Sequence, residues 1–271
     1  KFEIITFEGS FHGRSSAGIA ATASEKMTKG FGPLLPGFLS INWNNHESIK
    51  NSISDRTAAI LIEPIQGEGG IRVVPEQCLK GIREFCDENK ILLILDEVQC
   101  GVGRTGKLFA HEWAEIEPDI MMVAKGIGGG FPLGAVLAKE NAASGMTAGT
   151  HGSTYGGNPL GCSIGLKVMD IISDPNFLLN VNRKAKIFRA GLSKLLNKNT
   201  SIFEEVRGKG LMLGLKCKVQ NIDVVNAGYS NKLLTVPAGD NVVRLLPPLT
   251  ISDKEIKEAL EKLDCVMTEL S

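Results

Sequence analysis

Strand-length apolar runs recur along this chain at Ala58 to Ile62, Ile91 to Leu95, Ile120 to Val123 and Ala135 to Ala138, and helical patterns such as Pro75 to Asn89 separate some of them. That alternation argues for an α/β fold built on a mostly parallel sheet covered by helices. Three of the runs lead directly into polar residues: Glu63-Pro64-Ile65-Gln66, Asp96-Glu97-Val98-Gln99 and Ala124-Lys125. Open α/β sheets place their ligand crevice beyond the carboxyl ends of the strands, so the three tails are candidates for one shared site.

The chain opens in an alternating run, Phe2-Glu3-Ile4-Ile5-Thr6-Phe7, that reads as a strand. Later, a helical pattern runs from Tyr155 to about Ser173 and breaks at Asp174-Pro175, and a second helix follows to about Leu196. Phe203 to Val206, Leu211 to Cys217, Leu233 to Val236 and Val242 to Leu246 read as short strands, closed by an amphipathic helix from Asp253 to Leu270. These elements predict a large domain over residues 1–165 and a smaller C-terminal α/β domain over residues 166–271.

Acidic and basic residues balance at 30 each in 271 residues, which leaves no electrostatic footprint for nucleic acid or an anionic membrane surface. No stretch approaches the roughly 18 unbroken apolar residues of a membrane span. The expected partner is a small molecule. The six cysteines form no CxxC pair, and the histidines at 12, 46, 111 and 151 show no ligand spacing. We therefore expect free thiols in a reducing, cytoplasmic setting and no metal.

Lys125 leaves an apolar strand into Gly126-Ile127-Gly128-Gly129-Gly130, at a crevice with little side-chain bulk around it. A partly desolvated lysine there loses its proton more easily, and the neutral amine is the form that condenses with an aldehyde cofactor. A surface lysine beside a flexible loop is the alternative reading of that segment alone. Asp96 follows Ile91-Leu92-Leu93-Ile94-Leu95, and a carboxylate at the mouth of a buried strand needs a partner. A protonated pyridine nitrogen is one such partner; a metal or a helix N-terminus is another.

Taken together, Asp96-Glu97-Val98-Gln99-Cys100-Gly101-Val102-Gly103-Arg104-Thr105-Gly106, Pro118-Asp119-Ile120 and Ala124-Lys125-Gly126-Ile127-Gly128-Gly129-Gly130-Phe131-Pro132-Leu133-Gly134 resemble the class III aminotransferases of pyridoxal phosphate (PLP) fold type I. Phe11-His12-Gly13-Arg14, Glu63-Pro64-Ile65-Gln66-Gly67-Glu68, Thr150-His151-Gly152-Ser153-Thr154-Tyr155-Gly156-Gly157-Asn158-Pro159 and Asn241-Val242-Val243-Arg244-Leu245-Leu246-Pro247-Pro248 support the likeness in the same order. The resemblance implies a pyridoxal 5'-phosphate enzyme that moves the terminal amino group of N-acetylornithine to 2-oxoglutarate in arginine biosynthesis. Family neighbours acting on ornithine, succinylated ornithine or diaminopimelate, or 4-aminobutyrate share most of these motifs. A non-catalytic α/β binding or assembly module is the alternative from another class.

By the same resemblance, Lys125 anchors the cofactor and shuttles the proton. Asp96 would pair with the ring nitrogen, Gln99 with the ring oxygen, and Val98 and Phe11 would cover the two ring faces. Arg14 would grip the α-carboxylate of the amino donor. Arg244 would hold a carboxylate of 2-oxoglutarate, with Glu68 as its partner when that substrate is absent. Ser153 and Thr154 would reach the cofactor phosphate of the neighbouring subunit in a homodimer with shared sites; capping of a helix at Tyr155 is their other reading, compatible with the first. The family's main phosphate cup, a Gly-Thr turn upstream of Phe-His-Gly-Arg, has no counterpart before Phe11, so a truncated chain is expected.

Overall fold

The computed structural model describes residues 1–22, 24–43 and 46–271. In chain order the first half contains β1 (Glu3–Phe7), α1 (Ser16–Ala21), α2 (Glu25–Thr28), β2 (Phe38–Ile41), α3 (His46–Ser52), β3 (Thr57–Ile62), β4 (Ile65–Gln66), β5 (Arg72–Val73), α4 (Glu76–Asn89), β6 (Leu92–Asp96), β7 (Ile120–Ala124) and β8 (Gly134–Ala138). The second half contains α5 (Glu140–Ala143), α6 (Pro159–Ile172), α7 (Pro175–Lys198), β9 (Phe203–Lys209), β10 (Met212–Cys217), α8 (Asn221–Ser230), β11 (Val236–Ala238), β12 (Val242–Leu245) and α9 (Asp253–Glu269).

Six strands form one sheet in the order β2-β1-β3-β6-β7-β8, parallel throughout except for β8, which runs antiparallel to β7. The expected mostly parallel α/β sheet is therefore present. On one face of its central strands, Ile60 and Ile62 of β3 and Leu93 and Leu95 of β6 pack with Leu79, Ile82 and Cys86 of α4, while Ala59 and Leu61 of β3 are buried on the other. Those three α4 residues recur at helical spacing on one face, which is why Pro75 to Asn89 was legible as a helix. Parallel register between β3, β6 and β7 brings their carboxyl ends to one edge, so Glu63, Asp96 and Lys125 emerge together.

The second sheet is antiparallel, in the order β11-β12-β10-β9. Leu213, Leu215 and Val243 pack there against Phe188 and Leu192 of α7 and Ile256 and Leu263 of α9. Proline and capping chemistry set the helix starts. Pro175 opens α7 behind Asp174, whose Oδ1 accepts from the Asn176 N–H at 2.9 Å, and Ser252 with Glu255 forms a capping box at α9.

Two local expectations are corrected. The helix expected from Tyr155 begins at Pro159, capped by Asn158, whose Oδ1 accepts from the Gly161 N–H at 2.8 Å. Ser153 and Thr154 therefore do not cap it; Gly157, at φ 71°, holds the chain in a turn before Asn158. The strand expected over Leu233 to Val236 lies at Val236–Ala238 instead. Leu233 closes α8 by donating its N–H to Gly228 O at 2.8 Å, and α8 buries Val224, Val225 and Ala227 in a helical stripe too short to register in the pattern. None of the described helices is long and apolar enough to cross a membrane.

Candidate active site

Lys125 stands at the first residue after β7 with φ 50°, a left-handed conformation that disfavours a side chain bearing a Cβ. Val102, which is β-branched, sits at φ 53° and faces the same space. Strained non-glycine residues persist where the surroundings over-determine them, and they concentrate at functional sites. Lys125, Val102, Val98 and Gln99 line a cavity of about 530 Å³ with Pro248 and Leu249 from beyond β12. The Lys125 amine makes no hydrogen bond or ion pair among the described residues, so it is free to react.

Asp96 is 6% exposed at the end of β6. Its Oδ1 accepts from the Val98 N–H at 3.1 Å and its Oδ2 meets His12 Nδ1 at 2.8 Å. The ring of His12 is 2% exposed and its Nε2 has no partner among the described residues. Two contacts leave lone pairs on the carboxylate for a third donor. The capping role weighed for Asp96 falls to its neighbour: Glu97 accepts from the Ala110 N–H at 2.6 Å and the His111 N–H at 2.8 Å, at the start of a 3₁₀ turn.

Glu63, just beyond β3, opens one of the three polar strand tails that mark the shared crevice, but the sequence assigns it no role of its own. Its carboxylate accepts from the Phe11 N–H at 2.9 Å and from the Gly67 N–H at 3.1 Å, clamping the segment that carries Phe11 to the loop that carries Glu68. Burial pushes its pKa up to about 7, His12 opposes that rise and Asp96 adds to it. The signal that marked its tail is the one that singled out Asp96, an acid directly after a buried strand; its two backbone partners are distant or loop residues that no such signal gives. Because the folded-state pKa lies above the ordinary value of 4.5, its contribution to stability is complete below pH 4.5 and is lost as pH rises through about 7. The loss amounts to about 3 kcal/mol. Urea unfolding at pH 5 and pH 8 is expected to show the wild type losing this increment while Glu63→Gln does not; parallel pH dependences in the two proteins would rule it out.

Phe11 is half-buried, and the Arg14 guanidinium lies over its ring at 5.5 Å. Arg14 is exposed and does not line the Lys125 cavity. Phe11 and Glu68 border a second cavity of about 330 Å³. Between the two cavities runs Arg244 of β12, 6% exposed, whose Nη1 and Nη2 donate to the two oxygens of Glu68 at 2.6 and 3.1 Å. The backbone supports the pairing: Gly239 N–H donates to Glu68 O at 2.7 Å, docking the Glu68 loop on the small sheet. Burial pulls the Arg104 guanidinium down to about 10, and it spends its donors on the Leu211 and Pro247 carbonyls at 3.2 and 2.6 Å. Ser153 and Thr154 are exposed and apart from the Lys125 cavity.

No cysteine among the described residues is joined in a disulfide. Among the described residues no cluster of three or more His, Cys, Asp or Glu could hold a metal ion; the side chain of His46 lies outside what is described.

The family profile described as Aminotransferase class-III matches residues 1–267. The chain is 63% identical over 268 residues to the acetylornithine aminotransferase of Rhodobacter capsulatus, covering 99% of this chain and 68% of the relative. It is 55% identical over 263 residues to the acetylornithine aminotransferase of Mesorhizobium japonicum, covering 97% and 66%. Among solved structures, the ornithine aminotransferase of Toxoplasma gondii superposes with a TM-score of 0.93 at 31% identity, covering 99% of this chain and 65% of that one. The N-acetylornithine aminotransferase of Stenotrophomonas maltophilia superposes with a TM-score of 0.84 at 35% identity, covering 100% and 66%. The chain thus spans about two thirds of the length of these relatives. A parallel sheet whose strand ends gather Asp96 and Lys125, and a family match over nearly every residue, lead to one conclusion: the chain belongs to the class III aminotransferase family.

Proposed function

We propose that this chain acts in a PLP-dependent aminotransferase that moves the terminal amino group of N-acetylornithine to 2-oxoglutarate, giving N-acetylglutamate semialdehyde and glutamate, a step of arginine biosynthesis. The observation that carries the reading is the convergence of an unpartnered lysine and a buried acid on adjacent parallel strand ends, with the Glu68–Arg244 pair beside them.

The residues suit the pyridine end of PLP. Lys125 offers an uncommitted amine to the aldehyde, Asp96 keeps lone pairs for a ring N–H, and Val98 and Gln99 share the Lys125 cavity. Phe11, held by Glu63 through its backbone, would cover the other ring face. When bound, PLP supplies an electron sink for the pair left on the donor carbon. Lys125 Nζ moves the proton off that carbon. Asp96, oriented by His12, keeps the ring nitrogen protonated. Arg14 takes the donor carboxylate, and Arg244 takes a carboxylate of the diacid in exchange for Glu68.

Ser153 and Thr154 are read as phosphate contacts for a second copy in a homodimer. Their exposure supports this, as does the exposed apolar surface of Tyr155, Leu160 and Leu166 beside them. Six cysteines without a disulfide among the described residues support a reducing, cytoplasmic setting.

The test is a panel of amino donors with 2-oxoglutarate, scored by glutamate formed. N-Acetylornithine is expected to exceed ornithine and 4-aminobutyrate in kcat/KM by about tenfold or more, within the range that differential contacts supply. A preference for free ornithine would move the substrate assignment within the family; no glutamate from any donor would overturn the activity.

A further inference from the structure

The side-chain amide of Gln99 stands between the Glu68–Arg244 pair and the cavity that Lys125 lines. Arg244 Nη1 donates to Gln99 Oε1 at 3.1 Å, and the same nitrogen donates to Glu68 Oε1 at 2.6 Å. A guanidinium carries donors only, so the end of the amide that faces it is the oxygen, and the NH₂ group is turned away. That NH₂ has no acceptor among the described residues, while Gln99 lines the cavity with Val98 and Lys125. Gly67 supplies the floor: a Cβ there would overlap the carboxamide of Gln99, so the amide lies flat on the Gly67 backbone. The floor is itself tied down, because the Gly67 N–H donates to buried Glu63.

We infer that Arg244 has a second task apart from substrate: with Gly67 it orients Gln99 as a donor toward the phenolic oxygen of PLP, so the Glu68–Arg244 pair is coupled to the cofactor ring. The inference rests on the reading that PLP occupies the Lys125 cavity. Arg244 and Gly67 are positioning residues in this arrangement and Gln99 is the contact. Without Arg244 the amide is free to turn its oxygen toward the phenolic oxygen, and two acceptors face each other where a donor met an acceptor. A diacid that draws Arg244 from Glu68 also moves the nitrogen that holds Gln99, which links the identity of the bound substrate to the electronics of the ring.

The experiment uses the full chain loaded with PLP and no substrate, in wild type, Gln99→Ala, Arg244→Lys and Gly67→Ala. Two quantities are read: the pH midpoint of the visible absorption band and the dissociation constant of PLP. Gln99→Ala is expected to raise the midpoint by about one pH unit, the size of one hydrogen bond to a charged oxygen, and to weaken PLP binding about five- to tenfold. Arg244→Lys, which keeps the charge, and Gly67→Ala, which keeps Arg244, are expected to move both quantities in the same direction by half of that or more. An Arg244→Lys protein with a raised KM for 2-oxoglutarate and wild-type midpoint and PLP affinity would overturn the inference and leave the aminotransferase reading standing. A wild-type chain that takes up no PLP would overturn both.

Discussion

Lys125→Ala is expected to abolish the visible absorption band formed on adding PLP, together with its fixation by borohydride, and to lower transamination by about four orders of magnitude. That is the upper end of what one positioned acid–base group supplies, and the variant also loses the covalent anchor. The fold should not register the change. The Lys125 side chain is exposed and makes no hydrogen bond or ion pair among the described residues, and alanine inherits the same φ of 50°. Stability is therefore expected to stay within about 0.5 kcal/mol of wild type, the usual range for a surface substitution. Absorption titration and thermal unfolding on the same samples check both halves. A variant that keeps the borohydride-fixed band would show that another lysine carries the cofactor, and one that loses the band only because it unfolds would remove the argument from geometry.

The second large effect is at Asp96. Asp96→Asn keeps the shape of the side chain, retains an oxygen for either His12 Nδ1 or Val98 N–H, and loses the negative charge. The amide cannot sustain a protonated ring nitrogen, so the electron sink weakens while the covalent anchor at Lys125 is untouched. The visible band is expected to persist as the rate of the first half-reaction falls by about 10²- to 10³-fold, the scale on which one preorganised electrostatic contact acts in a buried site. Single-turnover kinetics with the amino donor measures it. A rate within tenfold of wild type would reduce Asp96 to a structural partner of His12. Asp96→Ala separates that role: it leaves His12 Nδ1 buried without an acceptor and is expected to destabilise the protein by about 1–3 kcal/mol.

The two substitutions divide the chemistry between neighbouring strands. β6 and β7 pair in parallel, with Asp96 opposite Met122, so their polar tails face the same crevice without a connecting loop to position them. Rigid strand ends are a better platform for such groups than loops, because packing of Leu93, Leu95, Met121 and Val123 fixes the backbone from which they project.

Local pattern alone determined a good deal of this protein. In runs such as Ile91 to Leu95 one face packs on α4 and the other is half-buried, so no polar residue interrupts the run, and the polar residue that ends it is conspicuous. Asp96 and Lys125 could be picked out on that ground, and the helix break at Asp174-Pro175 followed from proline geometry. The start of α6 was misread because Leu160 to Ile172 continues a helical pattern backwards through Tyr155, while the turn at Gly156-Gly157 and the cap at Asn158 decide the boundary.

What only the tertiary structure decided are the contacts between segments distant in sequence. His12 meets Asp96 across 84 residues, Phe11 meets Glu63 across 52, and Arg244 meets Gln99 across 145. No periodicity encodes these pairings. They arise because the β1, β3 and β6 ends are brought to one edge by sheet order and because the small sheet docks on the Glu68 loop through Gly239. The physical reason is that hydrophobic patterning records which face of an element is buried, whereas a polar contact in a site depends on which elements then lie side by side.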